Sequence, residues 1–207
     1  MEFSKLSSAM NLARLIVDGR LEDAKEIINR YFELGTEKFE EVKARELLQN
    51  VIKYATAKKI KIKVRKDSVL VAIPRSVASY DRSAAKQAKV EAFTYGAITA
   101  FLGFQLVPDL SIIFVPFGYA KEVKKSLSEK SRELSLPLPL DVEVRAYRVR
   151  GATSLAEDSR KAIIERLRLK DPTSIIVAVY KWYDHLLQDF KKIIKERILI
   201  PIVLTYY

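Results

Sequence analysis

The sequence predicts an α/β fold: a layered, mixed and largely parallel sheet with helices on both faces. Beyond residue 103, segments of strand periodicity alternate with segments of helical periodicity. The strands are nearly continuous apolar runs, as in SIIVAVY, which is typical of parallel strands covered on both sides. The predicted strands are 104–115, 141–149, 174–180 and 198–205, and the predicted helices between them are 119–134, 154–169 and 183–197.

Apolar residues at helical spacing predict an N-terminal helical segment at 1–58. The alternating strands and helices that follow predict an α/β domain at 59–207. That domain starts with a β-hairpin at 59–74, in which Ile60, Ile62 and Val64 alternate with Lys and Arg. The alternation gives the hairpin a basic outer face.

A long uncharged run extends from Ala92 to Ala120, and Asp109 is its only charged residue. A membrane-spanning helix needs about 20 unbroken apolar residues. Pro108 and Asp109 break this run, so we expect a helix that ends near Gly103 and a buried strand beyond it. We therefore predict no membrane partner. A cytoplasmic location is also expected, because the first residues lack the apolar stretch of a secretory signal.

Composition limits the possible chemistry. The chain has no cysteine and a single histidine, which excludes disulfides, thiolate zinc sites and cysteine nucleophiles. Any reaction would rest on carboxylates, lysines, hydroxyls or a hard metal ion. Abundant Lys, Glu, Ile and Tyr resembles the amino-acid usage of a hyperthermophile.

The formal net charge of +11 is concentrated in one block. From Lys53 to Lys89 there are eleven Lys or Arg residues and only two acids. Such a block attracts polyanions by releasing counterions, although a solvated face that protects an edge strand would look similar. The predicted nucleic-acid contacts are Lys59, Lys61, Lys63, Arg65, Lys66, Arg82, Lys86 and Lys89.

Several carboxylates have the positions of a catalytic set. Asp109 stands among apolar residues, so its charge needs a partner: an arginine, a local backbone cap or a divalent cation. Glu143 and Arg145 are two residues apart on a predicted strand and project from one face. Two carboxylates from neighbouring strands can hold Mg²⁺, and Glu91 on the preceding helix offers a third acid.

This order of residues resembles the PD-(D/E)xK nuclease superfamily, which includes archaeal Holliday junction resolvases, over roughly residues 85 to 180. The resemblance implies a restriction-endonuclease-like fold and a DNA nuclease dependent on Mg²⁺ or Mn²⁺. Asp109 and Glu143 would be its metal ligands, Glu91 its helix acid, and Arg145 would replace the usual lysine. The chain departs from the pattern in two ways: a helix separates the two strands where the family has a hairpin, and arginine cannot accept a proton.

An alternative acid-x-base triplet, Glu122 and Lys124, retains the lysine but lies in a segment with helical spacing, where the two side chains would diverge. Arg160 and Lys161 are further candidates for the missing basic residue. Three functions follow as hypotheses: a nuclease acting on branched or single-stranded DNA, a non-catalytic nucleic-acid-binding protein using surface 53–89, and an assembly protein. The apolar last strand suggests an interior position or a homodimer interface, with Pro201 favouring an edge or bulge.

Overall fold

The computed structural model describes residues 41–103, 110–134, 142–151, 154–172 and 174–207. It confirms an α/β fold with a mixed, largely parallel sheet. Its strands are β1 Lys61–Val64, β2 Val69–Ile73, β3 Leu110–Pro116, β4 Glu143–Tyr147, β5 Val149–Arg150, β6 Ser154–Leu155, β7 Ser174–Tyr180 and β8 Ile198–Tyr206. Its α-helices are α1 Glu41–Ala57, α2 Arg75–Tyr80, α3 Arg82–Gly103, α4 Ala120–Glu133, α5 Glu157–Lys170 and α6 Leu186–Ile194.

Six strands form the main sheet in the order β1-β2-β8-β7-β3-β4, and only β1 runs antiparallel to its neighbour. The chain moves from β2 to β3 and on to β4 through α3 and α4, which pack on one face. It returns to β7 and β8 through α5 and α6 on the other face. The predicted arrangement of helices on both faces is therefore confirmed.

Two apolar cores lie on the two faces of this sheet. On the first face, α1, α3 and α4 bury side chains such as Val51, Ile98 and Val123 against the sheet. On the second, α5 and α6 bury Ile163 and Phe190. Alternate residues of β7 contribute to each core, which explains why its sequence is apolar at nearly every position.

The helix α1 leads directly into the basic hairpin. Lys59 has a positive φ of 62°, and two hydrogen bonds from Lys59 N to Thr56 O (2.9 Å) and from Ile60 N to Ala55 O (2.9 Å) close a Schellman motif. Ile60 and Ala55 are both buried in the first core. Residues 1–40 of the predicted N-terminal helical segment lie outside the described residues. Its last part, α1, ends at Ala57 and shares its core with the α/β domain.

Pro201 was expected to favour an edge strand or a bulge, and this prediction was wrong. Pro201 is buried in β8, which lies inside the sheet between β2 and β7. The ladder with β2 starts only at Ile202, whereas Pro201 pairs with Val177 of β7. A residue that lacks an N–H is tolerated here because β8 has a ladder partner on only one side at this position.

Other boundaries shift by a few residues. The predicted helix 183–197 is a 3₁₀ turn at Lys181–Tyr183 followed by the shorter α6, and a small β5–β6 pair precedes α5. The helix that was expected to end near Gly103 is described as far as Gly103. Asp109 and the rest of 104–109 lie outside the described residues. No helix in the described ranges is both long and apolar enough to cross a bilayer.

Candidate functional site

Glu143 lies at the start of the edge strand β4 and is surrounded by cations. One of its oxygens accepts hydrogen bonds from Arg145 Nε and from Arg166 Nε (2.5 Å), and the other accepts one from Arg166 Nη2 (2.5 Å). The Nζ of Lys170 lies 3.7 Å from Oε2 of Glu143. Arg166 and Lys170 belong to α5, so this cluster fastens α5 to the edge of the sheet.

The cluster keeps Glu143 ionised. Partial burial of the carboxyl group disfavours its charge, but the hydrogen bonds from Arg166 and Arg145 outweigh this and lower its pKa from 4.5 to about 2. Both carboxylate oxygens already accept hydrogen bonds from arginine. A divalent cation would have to displace at least one guanidinium, so this carboxylate as placed does not fit a metal ligand.

The structure does not bring Glu91 and Glu143 together. Glu91 lies on α3, on the first face of the sheet, where Lys58 Nζ binds its carboxylate at 2.9 Å. The neighbouring Val144 packs into the first core, so Glu143 projects from the second face. The sheet separates the two acids. Within the described ranges no three His, Asp or Glu side chains form a group that could hold a metal ion, and Asp109 lies outside those ranges.

The alternative triplet lies on a helix, as its spacing indicated. Glu122 and Lys124 are both in α4, and Glu122 forms an ion pair with Lys86 (2.6 Å). A hydrogen bond from Lys86 lowers the pKa of Glu122 below its ordinary value. Side chains two apart on a helix diverge by about 200°, so these two do not form one site.

The basic residue expected from helix 154–169 is present, but at another position. Arg160 lies 3.6 Å from Asp189, and Lys161 lies 3.5 Å from Glu157. It is Arg166 of the same helix that reaches Glu143. The sequence did not reveal this, because which turn of α5 lies beside β4 depends on the path of the segment between them, which includes β5 and β6.

The predicted basic surface is divided between the two faces of the sheet. Lys61 and Lys63 lie opposite Ala72 and Leu70 in the hairpin, and Leu70 packs against the second core. These two lysines therefore project from the second face. Of the cations on α3, which lies on the first face, Lys86 is paired with Glu122, and the Nζ of Lys89 lies 5.4 Å from the centre of the Tyr180 ring.

The remaining predicted contacts lie in or beside the hairpin and at the start of α3. Lys66 is exposed in the hairpin turn, and Arg82 is exposed as the first residue of α3. Lys59 is the residue with positive φ in the Schellman motif that ends α1. Arg65 is exposed and enters the hairpin turn, where its N–H donates to Ser68 O at 2.8 Å. Arg65 is also the member of the predicted set that lines a groove beside the hairpin.

This groove, of about 540 Å³, opens on the second face between the hairpin and α6. Its floor is the part of β2 and β8 that α6 leaves uncovered, and its far wall is the side of α6 that carries Leu187 and Lys191. We call it the basic groove. The cations that line it are Arg65, Lys181, Lys191, Lys195 and Arg197.

Positive charge dominates the basic groove, because only Asp67 and Asp184 oppose its five cations. Arg197 is the one groove cation in an ion pair within the described part of the chain, and it binds Asp171 at 2.7 Å. Among those same residues, no carboxylate lies within ion-pair distance of the other four. Such an excess of positive charge beside an open surface creates a potential that favours an anionic ligand.

The cations on α6 were missed by the sequence analysis, which considered only the block 53–89. Leu186, Phe190 and Ile194 form the buried stripe of α6, and Leu187, Lys191 and Lys195 recur beside it at helical spacing. A helical projection of 183–197 would have shown this second stripe. This second stripe lies beside the hairpin only because β8 pairs with β2, and the sequence did not indicate that pairing.

Searches against protein-family models, curated proteins and solved structures yield no match to this chain.

Proposed function

We propose that this protein binds nucleic acid through the second face of its sheet, where the hairpin cations Lys61, Lys63 and Arg65 stand beside the basic groove. The observation that supports the proposal most strongly is the convergence of two cation sets, distant in sequence, on one groove. Arg65 approaches it from the hairpin, and Lys191 and Lys195 approach it from α6.

The spacing of the cations suits a polymer of phosphates better than a small anion. Alternate residues of a strand are about 6.6 Å apart, so the three hairpin cations form an extended row rather than a cluster around one point. A row of this kind contacts successive phosphates and releases their counterions, independently of base sequence. We therefore expect binding that depends strongly on salt and weakly on sequence.

The triple substitution Lys61→Gln, Lys63→Gln and Arg65→Gln tests the proposal. We expect it to weaken DNA binding for all sequences. It should also reduce the slope of log K against log salt by about 1 for each phosphate that the protein no longer neutralises. Fluorescence anisotropy over a salt series measures both quantities.

A matched control removes the same charge elsewhere, by replacing Lys121, Lys125 and Arg132 of α4 with glutamine. These side chains belong to a helix of the opposite face. If the two triple variants lose affinity equally, net charge rather than the second face determines binding, and the proposal is wrong. Absence of salt-dependent binding by the wild-type protein would also contradict it.

Metal-dependent DNA hydrolysis is a second candidate function. The observation in its favour is that β3 and β4 are parallel neighbours in which Ile112 pairs with Glu143. The chain enters β3 directly after Asp109, so the start of that strand lies close to Glu143. Against it, the arginine contacts of Glu143 leave no free carboxylate oxygen.

Cleavage assays separate the two functions. We expect the protein to bind labelled branched and single-stranded DNA without cutting it, in Mg²⁺, in Mn²⁺ and in EDTA alike. Cleavage that requires the metal, and that Asp109→Ala abolishes while binding remains, would establish the nuclease instead. The Asp109→Ala protein should be checked by thermal unfolding, because loss of folding would mark Asp109 as a structural residue.

A further inference from the structure

We infer that the basic groove takes a single strand of nucleic acid rather than a duplex. The inference rests on the proposed function and adds to it the class of nucleic acid that is bound. It follows from the width of the groove, from the apolar character of its floor and from the exposed Tyr207 ring beside Lys61. The backbone conformation of Lys195 supports a role of the groove in binding.

The width is set by the sheet. The floor consists of β2 and β8, two neighbouring strands about 5 Å apart, and the hairpin turn borders it on one side. The wall formed by α6 limits it on the far side. The major groove of a duplex alone is about 12 Å wide, so a whole duplex cannot lie on this floor, although it can rest on the rims. A single extended strand fits between the hairpin cations on one side and Lys191 and Lys195 on the other.

The floor itself is mostly apolar. Leu70, Leu199, Pro201 and Val203 line it, with Thr205 at one end. Leu70 and Leu199 remain partly exposed because no helix covers this part of the sheet within the described ranges. A duplex presents phosphates and sugars on its outside and hides the faces of its bases. A single strand offers base faces that can cover apolar surface while its phosphates meet the cations at the rim.

The aromatic ring of Tyr207 lies just beyond the floor, on the same face of the sheet. Alternate residues of β8 line the floor up to Thr205, and Tyr207 follows in the same alternation. The Nζ of Lys61 lies 3.8 Å from the centre of the Tyr207 ring, and Tyr207 is 44% exposed. A cation next to a partly exposed ring is the combination on which single strands stack their bases.

Lys195 has a backbone conformation that disfavours a side chain. Its φ is 47° and its ψ is −102°, at the end of α6, where glycine would be less strained. Strain of this kind is concentrated at functional positions. A lysine here carries its charge into the groove at a cost to folding, which is consistent with a role in binding.

The experiment compares one labelled strand of about 15 nucleotides with the same strand annealed to its complement. We expect the wild-type protein to bind the single strand at least about ten-fold more tightly. Lys191→Gln with Lys195→Gln should weaken single-strand binding about ten-fold and reduce its salt slope by about 0.7 for each phosphate left without a cation. The control pair, Lys121→Gln with Lys125→Gln, should match the wild type.

The outcomes distinguish this inference from the proposed function. Equal or tighter binding of the duplex overturns the single-strand assignment but leaves nucleic-acid binding intact, whereas absence of binding to either probe overturns both. A groove variant that binds like the wild type, while the hairpin variant is weakened, removes the groove from the site. Lys195→Gly provides a second measurement: we expect a higher Tm together with weaker single-strand binding, and a lower Tm with unchanged binding would contradict a functional role.

Discussion

Replacing Glu143 with glutamine is expected to lower the free energy of unfolding by about 2 kcal/mol. The substitution keeps the shape of the side chain and removes its charge. It leaves Arg145, Arg166 and Lys170 close together without the anion that holds them. The side chain of Glu143 is only 11% exposed, so water replaces these interactions incompletely. Urea unfolding of the two proteins near neutral pH measures the difference.

The same carboxylate predicts how stability responds to acid. Its pKa is about 2 in the folded protein and 4.5 when unperturbed, so the unfolded chain binds a proton first as the pH falls. The contribution of Glu143 is therefore complete above pH 4.5 and is lost as the pH falls towards about 2. The wild type and Glu143→Gln should converge in stability over this interval. A difference that persists at the acid end would mean that glutamine disturbs packing instead.

A surface ion pair provides the matched control. Glu129 lies 3.8 Å from Lys125 on α4, and the two side chains are 53% and 78% exposed. Glu129→Gln makes the same chemical change, but it should alter the free energy of unfolding by about 0.5 kcal/mol at most, because solvent screens such pairs. Similar losses in the two variants would show that the cluster at Glu143 has no special stabilising role.

Features determined by local sequence could be predicted well. The strand 174–180 was predicted with its observed bounds, because Asp171-Pro172 ends the preceding helix and an apolar run follows at once. The basic outer face of the hairpin also follows from simple alternation. In both cases, neighbouring residues alone determine the outcome.

Features determined by strand order could not be predicted. Glu91 and Glu143 were expected to share one site, but α3 crosses the first face, whereas Glu143 projects from the second. Pro201 fits inside the sheet because the ladder between β2 and β8 starts only at the next residue of β8, Ile202. The basic groove likewise joins Arg65 to residues of α6 more than a hundred positions away. Each of these depends on which strands become neighbours, and periodicity carries no information about that.

The contact between α3 and the sheet gives the other large expected effect. Gly96 lies where α3 passes over β2 and β8, and a Cβ added there would be 2.6 Å from Ile202 Cγ2 and 3.1 Å from Val71 Cγ1. The Cγ2 of isoleucine is attached to the branched Cβ, so it cannot move aside without rotating the whole side chain. Gly96→Ala should therefore force α3 away from the sheet.

We expect Gly96→Ala to lower the free energy of unfolding by about 2 kcal/mol, since overpacking outweighs the gain of up to about 1 kcal/mol from alanine's helix propensity. Gly103→Ala in the same helix is the control, because a Cβ there meets no atom of the described residues within 4 Å. It should leave stability unchanged or slightly raised. In the double variant Gly96→Ala with Ile202→Ala, the clashing methyl group is absent, so the combined loss should be smaller than the sum of the single losses. Additive losses would mean that Gly96 is required for a reason other than this close approach.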